Sequence, residues 1–387
     1  MTHPPAATKR NFAARLAAFY AAYFILSGIQ LPYLPLWLGA RGVDAREIGL
    51  LLAIPTLTRI AAVPLVSRLS DRHGDLRRAL VVLSFAAALA YFALGLAEHF
   101  TAILLGMILV SLFGTPTLSV ADAYALQGLA PRAYGAVRVW GSVAFVVGNI
   151  GAGLLIEPLA ATNIVWLVAG AAIAIALAST QLAPLARPAE TAAHVPARVG
   201  ALLRQPAFLA IVCAAALIQG SHALYYAFSA IQWRAAGFSG VSIGLLWATG
   251  VLAEIALFVM SARLPPAFGP LPLMLAGAAG ATLRWVAMAF DPAGWILYPL
   301  QALHGLSFGA TYLGTVTYVA RAAPPGLAAT AQGVYGTIGG ISLAAFMLLS
   351  GWLYEPHAAG AYAAMAIPAA LGGIIVLAVR ARASVAD

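Results

Sequence analysis

The segment EIGLLLAIPTLTRIAAV, residues 47–63, recurs without a gap as SIGLLWATGVLAEIALF, residues 242–258. Extended to residues 40–69 and 235–264, the two copies share 12 identities in 30 positions at a constant offset of 195. Convergent low-complexity sequence is the alternative, but chance in an Ala- and Leu-rich chain would give about three identities, so the match indicates an internal repeat. One matched position carries opposite charges, Arg59 in the first copy and Glu254 in the second.

The composition indicates a polytopic membrane protein. Of the 387 residues, 63% are hydrophobic and only 9% are charged, whereas soluble domains average about 45–50% apolar and about 25% charged residues. The net charge of +9, from twenty Arg and one Lys against twelve acidic residues, is typical of cytoplasmic loops rather than of nucleic-acid binding. The single cysteine, Cys213, excludes a disulfide within the chain and a thiolate metal site.

Twelve segments reach the roughly 20 apolar residues that a bilayer span needs. We predict spans at residues 12–38, 46–67, 79–97, 100–128, 136–156, 163–183, 206–233, 241–262, 271–290, 294–320, 327–354 and 359–380. With the N-terminus in the cytoplasm, cytoplasmic segments hold 16 Lys and Arg residues and the opposite side holds three. This bias predicts that both termini are cytoplasmic.

The repeat and the connectors predict the domain organisation. The offset places span 2 on span 8, so the halves are parallel repeats, an arrangement in which secondary transporters bind substrate at the repeat interface. The longest polar connector divides six spans from six. We therefore expect an all-α membrane protein of two pseudo-symmetric six-helix bundles, 1–183 and 206–387, joined by a cytoplasmic linker, 184–205.

The oppositely charged pair of the repeat lies deep inside these spans. Arg59 is about 13 residues into span 2, roughly 20 Å at 1.5 Å per residue, too deep to reach either interface. It is either an anion-binding or gating charge or half of a structural ion pair. Glu254 has the equivalent place in span 8, and a carboxylate away from water can bind a proton near neutral pH. We expect it to couple protons or bind substrate, with a structural pair as the alternative.

Spans 4 and 5 carry a second pair of opposite charges. Asp122 lies toward the inner third of span 4 and Arg138 at the start of span 5. The short connecting loop makes these spans antiparallel neighbours, so an ion pair between them is geometrically easy. A topology anchor is the alternative for Arg138. His222 and Gln30 are further polar side chains that could line a cavity.

Several motifs resemble the major facilitator superfamily of transporters. LPYLPLWL, EIGLLLAIPTLTRI and SRLSDRHGDLRR are similar to the start of such a transporter, and the last resembles its loop signature between spans 2 and 3. The signature positions are Asp71, Arg72, Gly74, Arg77 and Arg78. Ser67 replaces the usual Gly, and Asp75 stands where a basic residue is usual. The resemblance implies that the loop holds one conformer closed; positive-inside charge is the alternative.

Over nearly the whole chain, the sequence resembles the branch that holds lactose permease, nucleoside permeases and the phenylpropionate permease family. The matching motifs are VADAY, YGAVRVWGS, GVLAEIALF, ATLRWVAMAF and LQALHGLSFG, which contain Asp122, Arg138, Glu254, Arg284 and His304. The resemblance implies substrate binding by the first three and proton coupling by the last two. It departs at Ser307, where the branch has a carboxylate one helical turn after the His. A coupled proton must then be carried by Glu254, Asp122 or His304. For His304, a hydrogen-bonded interior histidine is the alternative.

We expect a secondary active transporter that works by alternating access and uses the proton gradient to drive symport. An aromatic acid such as 3-phenylpropionate is favoured, because spans 1–2 are similar to that family and because Arg59, Arg138 and Arg284 outnumber the intramembrane carboxylates. A sugar or nucleoside symporter is the alternative, and a receptor, assembly factor or channel on the same scaffold is a hypothesis of another class.

Neither a P-loop nor a metal-ligand cluster occurs in the sequence, so we expect no enzyme activity, cofactor or metal. The expected partners are substrate, protons and lipid, without nucleic acid, for a monomer in the inner membrane.

Overall fold

The protein is almost entirely α-helical. A computed structural model describes residues 6–129, 131–185, 199–261, 263, 268–324 and 327–386, and this part of the chain contains no strand. The first six helices are α1 Ala6–Ala40, α2 Ala45–His73, α3 Leu76–Gly95, α4 Phe100–Gly128, α5 Pro131–Ile156 and α6 Ile164–Thr180. The later helices are α7 Val199–Leu203, α8 Pro206–Gly220, α9 Ala223–Ala235, α10 Gly240–Ser261, α11 Pro270–Met288, α12 Leu297–Ala302, α13 Thr311–Ala322, α14 Ala328–His357 and α15 Tyr362–Ala386. A π-helical turn, Gly305–Ala310, separates α12 from α13.

Ten helical segments of the described residues are long and apolar enough to cross a membrane. One of them, Ala328–Arg382, has 55 residues and holds two spans, because a span needs only roughly 20. Its turn lies at Ala358, which has a φ of 46°. A further span, 294–322, is divided by the π-helical turn into shorter helices. The predicted all-α membrane fold of twelve transmembrane helices is therefore confirmed.

The two copies of the sequence repeat have the same local backbone. Gly42 and Gly237, which are matched in the repeat, both have left-handed conformations, with φ of 78° and 86°, where a residue without Cβ is favoured. In each copy the glycine N–H donates to the carbonyl three residues earlier at 3.0 Å. Because α2 and α10 also begin 195 residues apart, Arg59 and Glu254 occupy the same turn of their respective helices.

The helices form two compact units. Unit 1 comprises Met1–Thr191 and Trp233–Leu245, and unit 2 comprises Ala192–Gln232 and Leu246–Asp387. The predicted linker, 184–205, lies largely outside the described residues. The predicted domain boundaries thus stay a prediction.

Close contact between α1 and α5 organises unit 1. A Cβ added at Gly148 would lie 2.5 Å from the carbonyl oxygen of Ile25, and one added at Gly28 would collide with the carbonyl oxygen of Phe145. Small residues allow this backbone approach between membrane helices. It brings the polar side chains of α1 and α5 into contact, while α3 packs against α4 and α6.

Within unit 1, the carboxylate of Glu157 joins the end of α5 to the segment Trp233–Leu245. It accepts two hydrogen bonds from Arg234, at 2.7 and 3.3 Å, and one from the backbone N–H of Gly240 at 2.7 Å. The hydrogen bonds from Arg234 and then from Gly240 lower the pKa of the exposed Glu157. Because this pKa is lowered only in the folded state, the contact adds to folding stability at pH values above the ordinary carboxyl pKa. That contribution is lost as the pH falls through the lowered pKa.

In unit 2, α8 packs against α13, α14 and α15, and α11 packs against α13, α15 and the π-helical turn. Helix α10 approaches residues 301–309 closely. A Cβ added at Gly250 would lie 3.1 Å from the Cβ of His304, and one added at Gly305 would lie 2.8 Å from the carbonyl oxygen of Ala253. This approach carries Glu254, the next residue of α10, to the side of His304.

The close packing of α1 and α5 makes a testable prediction. Gly148→Ala should lower the thermal stability of the purified protein by about 1–3 kcal/mol, because the new methyl group overpacks the contact with Ile25. Gly151→Ala on the same helix is the matched control, since a Cβ there has no neighbour within 4 Å and Ala favours a helix over Gly. Thermal melting in detergent measures both. Equal melting temperatures for the two variants would contradict this packing.

Candidate functional site

Unit 1 contains a cluster of charged and aromatic side chains around Asp122 of α4. Its Oδ1 accepts hydrogen bonds from the hydroxyls of Tyr20 at 2.6 Å and Tyr134 at 3.1 Å. The Nε of Arg138 lies 3.9 Å from the same oxygen, and both charged side chains are about one-third exposed. The Asp122–Arg138 pair expected from the sequence is thus present. This carboxylate thus has two hydroxyl donors and one cation as its neighbours.

Aromatic rings surround the cation of this cluster. The guanidinium of Arg138 lies 4.4 Å from the ring centroid of Phe24 and 5.3 Å from that of Tyr20, so both rings make cation–π contacts. Tyr23 lies within electrostatic range of both Arg138 and Arg59, and Arg59 itself is exposed. With two arginines and one carboxylate, the cluster carries a net positive charge suited to an organic anion.

Gln30 of α1 has its own partner in unit 1. The hydroxyl of Tyr91 donates to its Oε1 at 2.5 Å. This bond fixes the amide of Gln30 to α3. A direct role of Gln30 at the site stays a prediction.

Unit 2 contains a second cluster, built on the fully buried Arg284 of α11. Its Nη1 donates to Nδ1 of His304 at 3.1 Å, and its Nη2 donates to Oε1 of Gln301. The guanidinium lies 4.4 Å from the ring centroid of Tyr225 and 4.7 Å from that of Trp285. Among the described residues, every partner of Arg284 is neutral, and its Nε has no hydrogen-bond partner.

The partners of His304 decide which of its ring nitrogens carries the proton. Arginine can only donate, so Nδ1 of His304 must be the accepting nitrogen, and the proton of the neutral ring lies on Nε2. That Nε2 is 3.9 Å from Oε2 of Glu254. His304 therefore lies between Arg284 and Glu254.

His222 has the opposite tautomer. Its Nδ1 lies 3.1 Å from the backbone carbonyl oxygen of Ile218, which can only accept, and its Nε2 lies 3.1 Å from Oγ of Ser307. Nδ1 must then carry the proton, and Ser307 donates to Nε2. His222 contacts His304, with ring centroids 5.5 Å apart. The structure thus brings together four predicted site residues, Glu254, Arg284, His304 and His222, with Ser307 beside them.

The π-helical turn shapes this cluster. Such turns inside α-helices are frequent at functional sites, and this one begins directly after His304 and contains the buried Ser307. A Cβ added at Gly309 would lie 3.3 Å from Cγ of Glu254. Glycine in the turn therefore leaves room for the carboxylate beside the two histidines.

The predicted loop signature lies at the junction of α2 and α3. Gly74 ends α2 with a left-handed φ of 65°, and the carboxylate of Asp75 caps α3 by accepting from the N–H of Arg78 at 2.9 Å. Arg77 donates to the carbonyl oxygens of Thr180, the last residue of α6, and of Leu182 just beyond it, at 3.0 and 2.6 Å. The side chains of Asp71 and Arg72 lie outside the described residues. The conformational role of the loop stays a prediction.

The sequence reasoning missed Tyr20 and Tyr134 as partners of Asp122. Tyr134 lies four residues before Arg138 and thus on the same face of α5, which is a signal that the sequence contained. Gln301 and Tyr225 were not predicted as partners of Arg284 either, because helix faces cannot be assigned from one sequence.

The fold and the two clusters define a class of protein. Ionisable side chains at membrane depth, grouped within twelve transmembrane helices, are typical of secondary transporters. The chain matches the MFS_1 like family over residues 13–364, and it belongs to that family of major facilitator transporters. The resemblance seen in the sequence is thereby confirmed, and the protein is a multi-pass membrane transporter.

Known proteins are similar over almost the full chain. A probable 3-phenylpropionic acid transporter of Escherichia coli (strain K12) is 35% identical over 369 residues, covering 92% of this chain and 94% of that protein. A maltose permease of Geobacillus stearothermophilus is 27% identical over 387 residues, covering 96% of each. The crystal structure of the nucleoside transporter NupG matches with a TM-score of 0.81 at 17% identity, covering 96% of this chain and 98% of that one. The likeness to NupG shows the shared fold.

The hydrogen bonds of the two buried histidines predict opposite tautomers. At neutral pH, nitrogen NMR of labelled protein should show His222 protonated at Nδ1 and His304 protonated at Nε2, because each acquires its proton position from a fixed partner. Single His→Asn variants assign the signals. A common tautomer for His222 and His304, or a positively charged His304, would contradict the arrangement.

Proposed function

We propose that the protein is a proton-coupled symporter of a small organic anion, with an aromatic carboxylate such as 3-phenylpropionate as the favoured substrate. Transport occurs by alternating access, with the protein as a monomer in the inner membrane and both termini in the cytoplasm. The 35% identity to a probable 3-phenylpropionic acid transporter supports the substrate class. The contact between Glu254 and His304, whose ring also accepts a hydrogen bond from Arg284, is the observation that carries the proposal of proton coupling.

Glu254 is the proton carrier that the geometry supports best. Asp122 is already engaged, because it is paired with Arg138 and accepts hydrogen bonds from two hydroxyls. His304 has its accepting nitrogen occupied by a hydrogen bond from Arg284. Glu254 keeps about one-fifth of its side chain exposed and has no arginine at ion-pair distance among the described residues. It can therefore exchange a proton with water.

The chemistry of the two clusters supports an aromatic anion as substrate. In unit 1, Arg59 and Arg138 outnumber the carboxylate Asp122, so this cluster carries positive charge. In unit 2, Arg284 adds a cation to the cluster that holds Glu254. Each of Arg138 and Arg284 lies over aromatic rings, and such rings can also hold the ring of a substrate.

Two other candidates make different predictions. A sugar or nucleoside symporter is supported by the similarity to a maltose permease and by the fold of NupG. A receptor or assembly factor on a transporter scaffold would accumulate no solute. Uptake into proteoliposomes of labelled 3-phenylpropionate, maltose and a nucleoside, with an inward proton gradient, distinguishes all three. Accumulation of the aromatic acid that a protonophore abolishes is the expected result.

Replacing the proposed proton carrier should separate coupling from binding. Glu254→Gln should abolish accumulation of 3-phenylpropionate driven by a proton gradient, because a neutral amide cannot carry the proton. Exchange of internal for external substrate should persist, since it needs no net proton movement. The same proteoliposomes measure both activities. Accumulation at the wild-type rate in this variant would remove Glu254 as the coupling residue.

A further inference from the structure

Among the described residues, no carboxylate in contact with Arg284 balances its charge. Its side chain has no exposed surface, its partners His304 and Gln301 are neutral, and its Nε is left without an acceptor. A buried cation is normally paired, because an uncompensated charge away from water is strongly unfavourable. The guanidinium therefore has an open place for an anionic partner.

One edge of the guanidinium fits a carboxylate. Arginine binds carboxylates through two parallel N–H donors, and one such edge is formed by Nε and Nη2. Nε is unpartnered, and Nη2 donates to the amide oxygen of Gln301. The neutral amide oxygen of Gln301 thus occupies the place that one oxygen of a carboxylate would take. A bound carboxylate displaces Gln301 and leaves the bond from Nη1 to His304 intact.

The ionisation of Glu254 sets the charge that such an anion meets. Two groups lie near Glu254: His304, on the connection from α12 to the π-helical turn, and Tyr226 of α9. Arg284 of α11 lies on the other side of the His304 ring. His222 contacts the far side of His304. With both histidines neutral, the cluster has no net charge when Glu254 is ionised and one positive charge when Glu254 is protonated.

From these contacts we propose that Arg284 is the docking residue for the carboxylate of the substrate, and that protonation of Glu254 opens this dock to the anion. The inference rests on the proposed function and assigns its binding residue. It departs from the role in proton coupling that the family resemblance implied for Arg284. Proton and anion then bind together, and by reciprocity each raises the affinity of the other.

Aromatic side chains beside the dock define the rest of the substrate. Tyr225, which makes one cation–π contact with Arg284, stacks on Trp247 with ring centroids 4.5 Å apart. The ring of Trp285 makes the second cation–π contact. These rings suit a flat apolar group attached to the carboxylate by a short chain. The substrate class is an aromatic monocarboxylate.

Calorimetric binding to purified protein in detergent tests the dock with two ligands of similar shape, 3-phenylpropionate and its neutral amide. Binding of the acid should strengthen about tenfold for each pH unit of decrease wherever one proton is taken up with it, while binding of the amide stays flat. Arg284→Gln should bind acid and amide equally. Arg204→Gln, the same change at an exposed arginine outside the spans, should retain the wild-type preference.

Two further variants leave Arg284 in place. Gln301→Glu provides Arg284 with an internal carboxylate, and it should reduce acid binding at least about tenfold while raising the melting temperature. Glu254→Gln should bind the acid tightly at every pH, because the dock is permanently open. Acid binding at wild-type strength in Gln301→Glu, or acid preference retained in folded Arg284→Gln, would overturn the inference and leave symport intact. A wild-type protein that binds neither ligand would overturn the substrate class and this inference together.

Discussion

A buried arginine that has no anionic partner among the described residues is the constraint on which the rest of the site depends. Arg284 places a full charge among aromatic rings and neutral acceptors. Cation–π contacts and the hydrogen bonds to His304 and Gln301 offset part of the unfavourable burial. The part of the burial cost that is not offset makes the site sensitive to charge. An added anion, or the loss of a negative charge nearby, changes the free energy of the buried Arg284 substantially.

The second element of the account is the position of Glu254, and this position follows from the fold. Helix α10 begins at the point that the repeat assigns to α2, and glycines bring it against the segment that contains His304. The same turn of α2 carries Arg59. Duplication therefore provided equivalent helices, and divergence gave one a cation in a basic cluster and the other a carboxylate beside a histidine. Opposite charges at one repeat position are explained by these different neighbours.

The sequence was sufficient for the helices and for the residue types of the site, and insufficient for their contacts. Span 4 was predicted at 100–128 and α4 has those bounds, because apolar length and loop residues determine a span directly. The π-helical turn at Gly305–Ala310 was not predicted, since it depends on packing against α10 and α11. The bond from Arg284 to Gln301 was not predicted either, because one sequence does not reveal which helix faces meet. The repeat could be recognised from the sequence, because matched residues give matched local backbone. Gly42 and Gly237 have the same left-handed conformation in the two copies.

The central claim is that one proton on Glu254 accompanies one carboxylate on Arg284, so that each transport cycle moves no net charge. Proteoliposomes with a potassium diffusion potential and no pH difference, compared with a pH difference and no potential, measure this most directly. The account predicts accumulation of 3-phenylpropionate with the pH difference and none with the potential alone. Accumulation driven by an inside-negative potential would show that positive charge enters with the substrate, and it would contradict the account.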